Sequence, residues 1–153
     1  MTHNLIIILA AGLSSCGFAL IYSVRPRYIP YVIIGGGLSW AAYLAGSALQ
    51  PRRVVSMFIG AAAVTLYTEI CARLLRVPAP VLYVPAILPL IPGAGLYYFM
   101  QALEVGDDAA RSQYGSILAQ DTLGIVLGSV IVLSAVSILG AGRQHARKKQ
   151  SKE

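Results

Sequence analysis

Charge is what this chain has least of. Only 12% of its 153 residues are Asp, Glu, Lys or Arg, against roughly 25% in an ordinary soluble domain. Hydrophobic residues make up 57%, and the mean hydropathy is +0.70. So few charges cannot hydrate the surface of a soluble globular domain, and that class is excluded. Thiols and imidazoles are almost as scarce. Cys16 and Cys71 have no second thiol nearby, and His3 and His145 lie near the two ends. No metal-ligand spacing emerges. Both cysteines are read as small buried apolar residues, and neither a metal nor a cofactor is expected. A Gly-rich loop followed by Lys and Ser/Thr is missing too, which argues against direct ATP hydrolysis.

What the chain has instead is apolar length. A span needs about 20 apolar residues, and five runs qualify: Leu5–Val24, Ile29–Leu49, Val54–Leu75, Leu82–Leu103 and Ile117–Gly140. The connectors are too short to hold a soluble domain. The expectation is an all-α membrane protein of five transmembrane helices, one integral domain over 1–142 with a basic tail over 143–153. Leu13-Ser14-Ser15-Cys16 looks like a lipoprotein cleavage box, but Met1–Asn4 carries no Lys or Arg and the apolar run continues to Val24. The first run is therefore read as a span and not a leader.

Lys and Arg accumulate on the cytoplasmic side of a membrane. The tail holds Arg143, Arg147, Lys148, Lys149 and Lys152, so the C-terminus is placed inside and, counting back through five spans, the N-terminus outside. Arg25, Arg27, Arg73 and Arg76 then fall inside, and the connector with Glu104, Asp107, Asp108 and Arg111 outside. Only Arg52-Arg53 sits on the wrong side. The net charge of +6 is largely the tail, read as an anchor against anionic headgroups and not as a nucleic-acid patch.

The fourth run is broken by its own sequence. Pro85, Pro89 and Pro92 are followed at once by Gly93 and Gly95, and each proline removes an N–H and clashes with the carbonyl four residues back. In hydrocarbon the freed carbonyls find no water, so such backbone must be buried in protein or line a wet cavity. The stretch Pro89–Gly95 is expected to be non-helical or sharply kinked and buried in the assembly. Gly93 or Gly95 is expected to hold a conformation that a Cβ would hinder. Transporters place substrate sites at interrupted helices, which makes Pro89, Pro92, Gly93, Ala94, Gly95, Leu96 and Tyr97 the candidate substrate pathway. The second half-helix begins near Gly93, so the amides of Gly93–Leu96 are candidate anion donors. Tyr97 would add a hydroxyl beside them, unless Tyr97 and Tyr98 are ordinary interfacial aromatics.

Two acids lie inside apolar runs. A charge in hydrocarbon costs at least about 2.5–3.5 kcal/mol and normally faces the bundle interior. Glu69 shares a helix face with Thr65 and Arg73, and is read either as a structural ion pair with Arg73 or as a proton-linked carboxylate. Asp121 shares a face with Gln113, Gly124 and Gly128 and has no basic residue four positions away. A cap or interfacial role competes there with a proton-coupling role. Small-residue stripes, Gly35/Ser39/Ala42/Gly46 and Gly124-x-x-x-Gly128, let helix backbones approach, and the mid-span Trp40 is expected to pack in the bundle. Gly106-Asp107-Asp108-Ala109-Ala110-Arg111 is similar to the metal-holding motif of CDP-alcohol phosphotransferases. It lacks that motif's Asp-Gly pair, correctly spaced glycine and further aspartates, so a lipid-modifying enzyme is rejected.

The block Pro85-x-x-x-Pro89-Leu90-Ile91-Pro92-Gly93-x-x-x-Tyr97 follows three spans and precedes a polar connector and a last span with a basic tail. In this order of features the chain resembles the threonine/serine exporter family, specifically its short subunit, which corresponds to the C-terminal membrane half of the fused exporters. The resemblance implies secondary transport of small polar metabolites, amino acids or small carboxylates, coupled to the proton gradient across a prokaryotic inner membrane. It also implies a second membrane subunit similar to the N-terminal half. Two tandem five-span units insert with opposite orientations because five is odd, and sites in such transporters lie between opposed repeats. One unit supplies at most half a site, so a hetero- or homo-oligomer is expected. The rival reading is a non-transporting scaffold or assembly subunit, in which all substrate contacts belong to the partner.

Overall fold

The computed structural model describes residues 2–50 and 52–150, with side chains of the last helix described as far as Ile138. The side chains of Arg143, Arg147, Lys148 and Lys149, and the whole of Lys152, lie outside that description. Six α-helices follow one another: α1 (Thr2–Ile21), α2 (Ile29–Leu49), α3 (Arg53–Leu75), α4 (Ala79–Ile87), α5 (Gly93–Val105) and α6 (Asp108–Gln150). A 3-10 turn, Pro26–Tyr28, leads into α2, and another, Leu88–Leu90, prolongs α4. No strand occurs among the described residues, and the chain is the all-α membrane protein its composition predicts. Helices α1, α2, α3 and α6 are long and apolar enough to cross a membrane. The pair Ala79–Leu90 and Gly93–Val105, bent by 54°, makes a fifth crossing when taken as one span.

The helix ends follow from local chemistry. Helix α3 stops at Arg76, which turns left-handed (φ 55°), while the Val77 N–H reaches back to the Ala72 carbonyl and Pro78 blocks any continuation. This is the closing motif in which a left-handed residue satisfies the last carbonyls and a proline follows. Gly106 (φ 75°) closes α5 in the same way, with the Asp107 N–H on the Ala102 carbonyl. Asp107 then caps the next helix, its Oδ1 accepting the Ala110 N–H at 3.0 Å, and Asp108 pairs with Arg111 at 2.8 Å. The acidic stretch that resembled a metal motif is thus a helix start. It also moves a boundary: the polar connector before Ile117 is mostly the first turns of α6, and only Gly106 and Asp107 form the turn. Ala-rich, capped segments continue a helix whatever their polarity.

Helix α3 lies at the centre, against α2, α4 and α6. The contact with α6 is backbone-close because Gly124 and Gly128 face it. A Cβ at Gly124 would lie 2.6 Å from the Val54 carbonyl oxygen, and one at Gly128 2.5 Å from that of Phe58. Gly46 meets Ser56 and Gly60 meets the Ser39 carbonyl across α2–α3 in the same manner. The small-residue stripes are helix contacts, as expected. The core consists of Val32, Met57, Ala61, Val64, Leu82, Ala86 and Leu90 among others.

The break in the fourth run is narrower than three prolines suggest. Pro85 sits inside α4, Pro89 in the 3-10 turn, and only Ile91 and Pro92 lie outside helix before α5 begins. A helix tolerates Pro85 where neighbouring helices cover the backbone it disrupts, and Pro85 is fully buried among them. The freed carbonyls near the break are partly satisfied. Ile91 N–H donates to Leu88, Gly93 N–H to Ile91 and Leu96 N–H to Pro92. The Pro89 carbonyl accepts the Trp40 indole N–H at 2.9 Å, which gives that mid-span Trp its place in the bundle. Trp40→Phe keeps an aromatic ring of smaller size and orphans this carbonyl. It is expected to cost about 1–3 kcal/mol, visible as a lower thermal midpoint in detergent at unchanged helical content.

Candidate functional site

The expected pathway residues gather where α4 gives way to α5, and their geometry corrects one expectation. Gly93 and Gly95 are ordinary helical residues without positive φ, and a Cβ at Gly93 would meet nothing within 4 Å. Neither glycine is needed for its conformation. The turn is made by Pro92 (φ −77°, ψ 62°), an inverse γ-turn that ties the Gly93 N–H to the Ile91 carbonyl. With Leu96 N–H bonded to Pro92, the N–H groups of Ala94 and Gly95 are the two of the four candidate donors with no backbone partner among the described residues. They stand at the positive end of α5. Within this single chain Gly93, Ala94, Leu96 and Tyr97 are exposed, Tyr97 at 65%. Tyr97 packs edge-on to Tyr98, which stacks on Tyr114 of α6. The groove Tyr97 lines runs along α5 towards Gln101 and Glu104.

The acids lie elsewhere, at two ends of a polar seam between α3 and α6. At one end Asp121 is completely buried and receives Arg53 in a two-pronged pair, Nε to Oδ1 at 2.5 Å and Nη2 to Oδ2 at 2.9 Å. This is the fork-to-carboxylate geometry that only Arg supplies. Its partner comes from another helix, which spacing along α6 alone could not reveal. Arg53, which charge counting expects on the wrong side, is thus paired with a buried carboxylate.

Midway along the seam hydroxyls meet. Tyr83 of α4 donates to Ser129 of α6 at 2.9 Å, and Thr65 lies 3.5 Å from the same oxygen while bonding back to the Ala61 carbonyl. At the far end Glu69 faces Arg73 one turn on at 3.8 Å, and Arg73 Nη2 donates to the Val136 carbonyl at 3.3 Å. A cleft of about 450 Å³ opens there, lined by Glu69, Arg73, Leu133, Ser134, Val136 and Ser137. Glu69 and Asp121 therefore share one interface but not one pocket. Between them Gly124 and Gly128 press against the α3 backbone. Arg53, Tyr83, Ser129, Ser134 and Ser137 were not singled out from sequence, although the misplaced Arg53 was a signal that it had a partner. No group of His, Cys, Asp and Glu among the described residues could hold a metal.

A bundle of membrane-crossing helices, with a helix pair bent at Ile91–Pro92 and Asp121 buried inside, is a multi-pass membrane architecture of the kind transporters use. The family follows from the sequence match: the model described as Threonine/Serine exporter, ThrE, fits residues 7–135, and the chain belongs to that family. It is thereby placed among exporter-type transporters and not among enzymes. No curated protein and no solved structure matches the chain.

Proposed function

We propose that this chain is one subunit of a proton-coupled secondary transporter that moves small polar metabolites, amino acids such as threonine and serine or small carboxylates. The second half of the site comes from another membrane subunit or a second copy. The orientation that suits the charges is N-terminus outside and C-terminus cytoplasmic, in a prokaryotic inner membrane. The observation that carries the reading is the pair of unpartnered amides, Ala94 and Gly95, at the exposed start of the half-helix after the break. Such an end attracts a carboxylate, and its exposure in the isolated chain fits a site completed by a partner. Glu69 is the preferred proton-linked carboxylate and Asp121 the second choice. Asp121 is already saturated by Arg53, whereas Glu69 has a looser pair and a cleft beside it.

Gly93→Val tests the pathway cleanly, because the added Cβ meets nothing within 4 Å in the chain. The expected outcome is unchanged expression and thermal stability with flux into proteoliposomes reduced about tenfold, the factor that about 1.4 kcal/mol of lost cargo binding carries. Full flux in that variant removes the start of α5 from the path. Glu69→Gln is expected to weaken accumulation driven by a pH gradient while sparing exchange. Unaltered gradient dependence returns Glu69 to a purely structural pairing with Arg73. Flux measured with and without the partner subunit separates transport from a scaffolding role.

A further inference from the structure

The two ion pairs of the seam differ in a way that bears on what lies beside the protein. Arg53 and Asp121 satisfy each other at 2.5 and 2.9 Å, with the carboxylate wholly buried. Arg73 and Glu69 stand 3.8 Å apart, with side chains 51% and 17% exposed. A charge-assisted N–H···O bond closes at about 2.7–2.9 Å, so the second pair leaves donors on Arg73 and acceptor capacity on Glu69 unfilled. Ser134 and Ser137 bring two hydroxyls to the same cleft. Ser137 donates to the Ser134 carbonyl, which keeps its oxygen available as an acceptor.

The cleft is open on the outside of the bundle, not towards its core. Leu133, Ile70, Leu74 and Ile138 are exposed around this end of α3 and α6. Arg73 lies in the last turn of α3, and α6 continues beyond Ser137 into the sequence that carries Arg143, Arg147, Lys148 and Lys149. Basic residues just beyond an apolar span mark the level of the headgroups. An acid, a base and two hydroxyls thus face outward at headgroup depth, with apolar surface alongside.

We infer that the Glu69–Arg73–Ser134–Ser137 cleft holds the headgroup of a phospholipid bearing a primary ammonium, of the phosphatidylethanolamine type. Arg73 takes the phosphate, Glu69 and the Ser137 oxygen accept from the ammonium, and the Ser134 hydroxyl donates to a remaining phosphate oxygen. The acyl chains lie over Leu133 and Ile70. Charge complementarity selects the headgroup. A phosphatidylglycerol headgroup satisfies Arg73 with the same phosphate but offers Glu69 only neutral hydroxyls in place of a cation, and a choline headgroup has no N–H to donate. A free amino acid carries the same two charged ends but makes no use of the apolar rim.

The test uses the full-length purified chain, delipidated in detergent, with phosphatidylethanolamine, phosphatidylcholine and phosphatidylglycerol of identical acyl chains, binding being read by native mass spectrometry. The ethanolamine lipid is expected to bind about tenfold tighter than the other two, the factor carried by one charged hydrogen bond. Glu69→Gln should erase its advantage over phosphatidylcholine. Ser134→Leu, at an exposed position, should fill the cleft and weaken all three without unfolding the chain. Equal affinities in the unaltered protein, or an ethanolamine preference that survives Glu69→Gln, overturns the inference. Displacement of the bound lipid by free serine or threonine at comparable occupancy assigns the cleft to a soluble zwitterion and overturns it as well. The result stands or falls independently of flux, since no transport is measured.

Discussion

Arg53→Met is expected to deplete the folded protein from the membrane, and Asp121→Asn to do so far less. The two partners are not equivalent. Asp121 is fully buried, whereas the Arg53 side chain is 44% exposed. Removing the arginine strands a carboxylate where nothing else reaches it, and breaking a buried pair from one side costs about 3–5 kcal/mol. Neutralising the aspartate leaves an arginine at the first residue of α3, close enough to the helix end for its head to reach water. The double variant Arg53→Met with Asp121→Leu should recover most of the loss, because a packed apolar pair of similar volume often matches a buried ion pair in stability. Fluorescence-detected size exclusion after heating gives the order of the three. If the two single variants are equally harmful, the asymmetry of burial is not what governs this site. The double variant has a second use: folded protein that still accumulates substrate against a pH gradient would remove Asp121 from proton coupling.

Gly128→Val should be as damaging by a different route. The new Cβ would lie 2.5 Å from the Phe58 carbonyl oxygen and 3.1 Å from the Ala61 side chain. The obstacle is backbone on a neighbouring helix, so no rotamer change relieves it and α6 must move off α3. Overpacking of a tight interface costs about 1–3 kcal/mol when side chains can adjust, and more when they cannot. Separation of α3 and α6 would also open the Thr65–Ser129–Tyr83 hydroxyl cluster and pull Asp121 from Arg53, so the losses compound. Gly17→Val is the control, since a Cβ there meets nothing and valine is the better helix former. A fall in thermal midpoint for the first with none for the second is the expected pair of results.

The architecture could be read from the chain because membrane spans are declared by length and composition alone. The first three runs fall within a few residues of α1, α2 and α3, the fourth covers α4 and α5 together, and α6 extends past the fifth run at both ends. Glycine spacing likewise announced a close helix contact at Gly124 and Gly128, but not that α3 makes it. The site was less legible, for two physical reasons. Pairing between helices leaves no trace in local spacing, so Arg53 could not be read as the partner of Asp121. The three prolines do not act alike: Pro85 stays inside α4, Pro89 lies in the 3-10 turn, and Pro92 makes the turn into α5. Gly93 and Gly95 were assigned a backbone role they do not have. Their absence of side chain leaves the α5 amides uncovered, which is a property of access and not of conformation.

The indole bond from Trp40 to Pro89 has a mechanical consequence. It pins the end of α4 to α2 immediately before the two non-helical residues. At its other end α5 is pinned to α6 through the tight Gly106 turn and the stacked rings of Tyr98 and Tyr114. Helix α5 is therefore a strut with a joint at each end, not a free lever. Rotation at Ile91–Pro92 must carry the stretch of α6 from Asp108 to Asp121 with it, about 20 Å of helix at 1.5 Å per residue. That arm stops where Arg53 clamps it, so the clamp is the fulcrum about which an α5–α6 swing would turn.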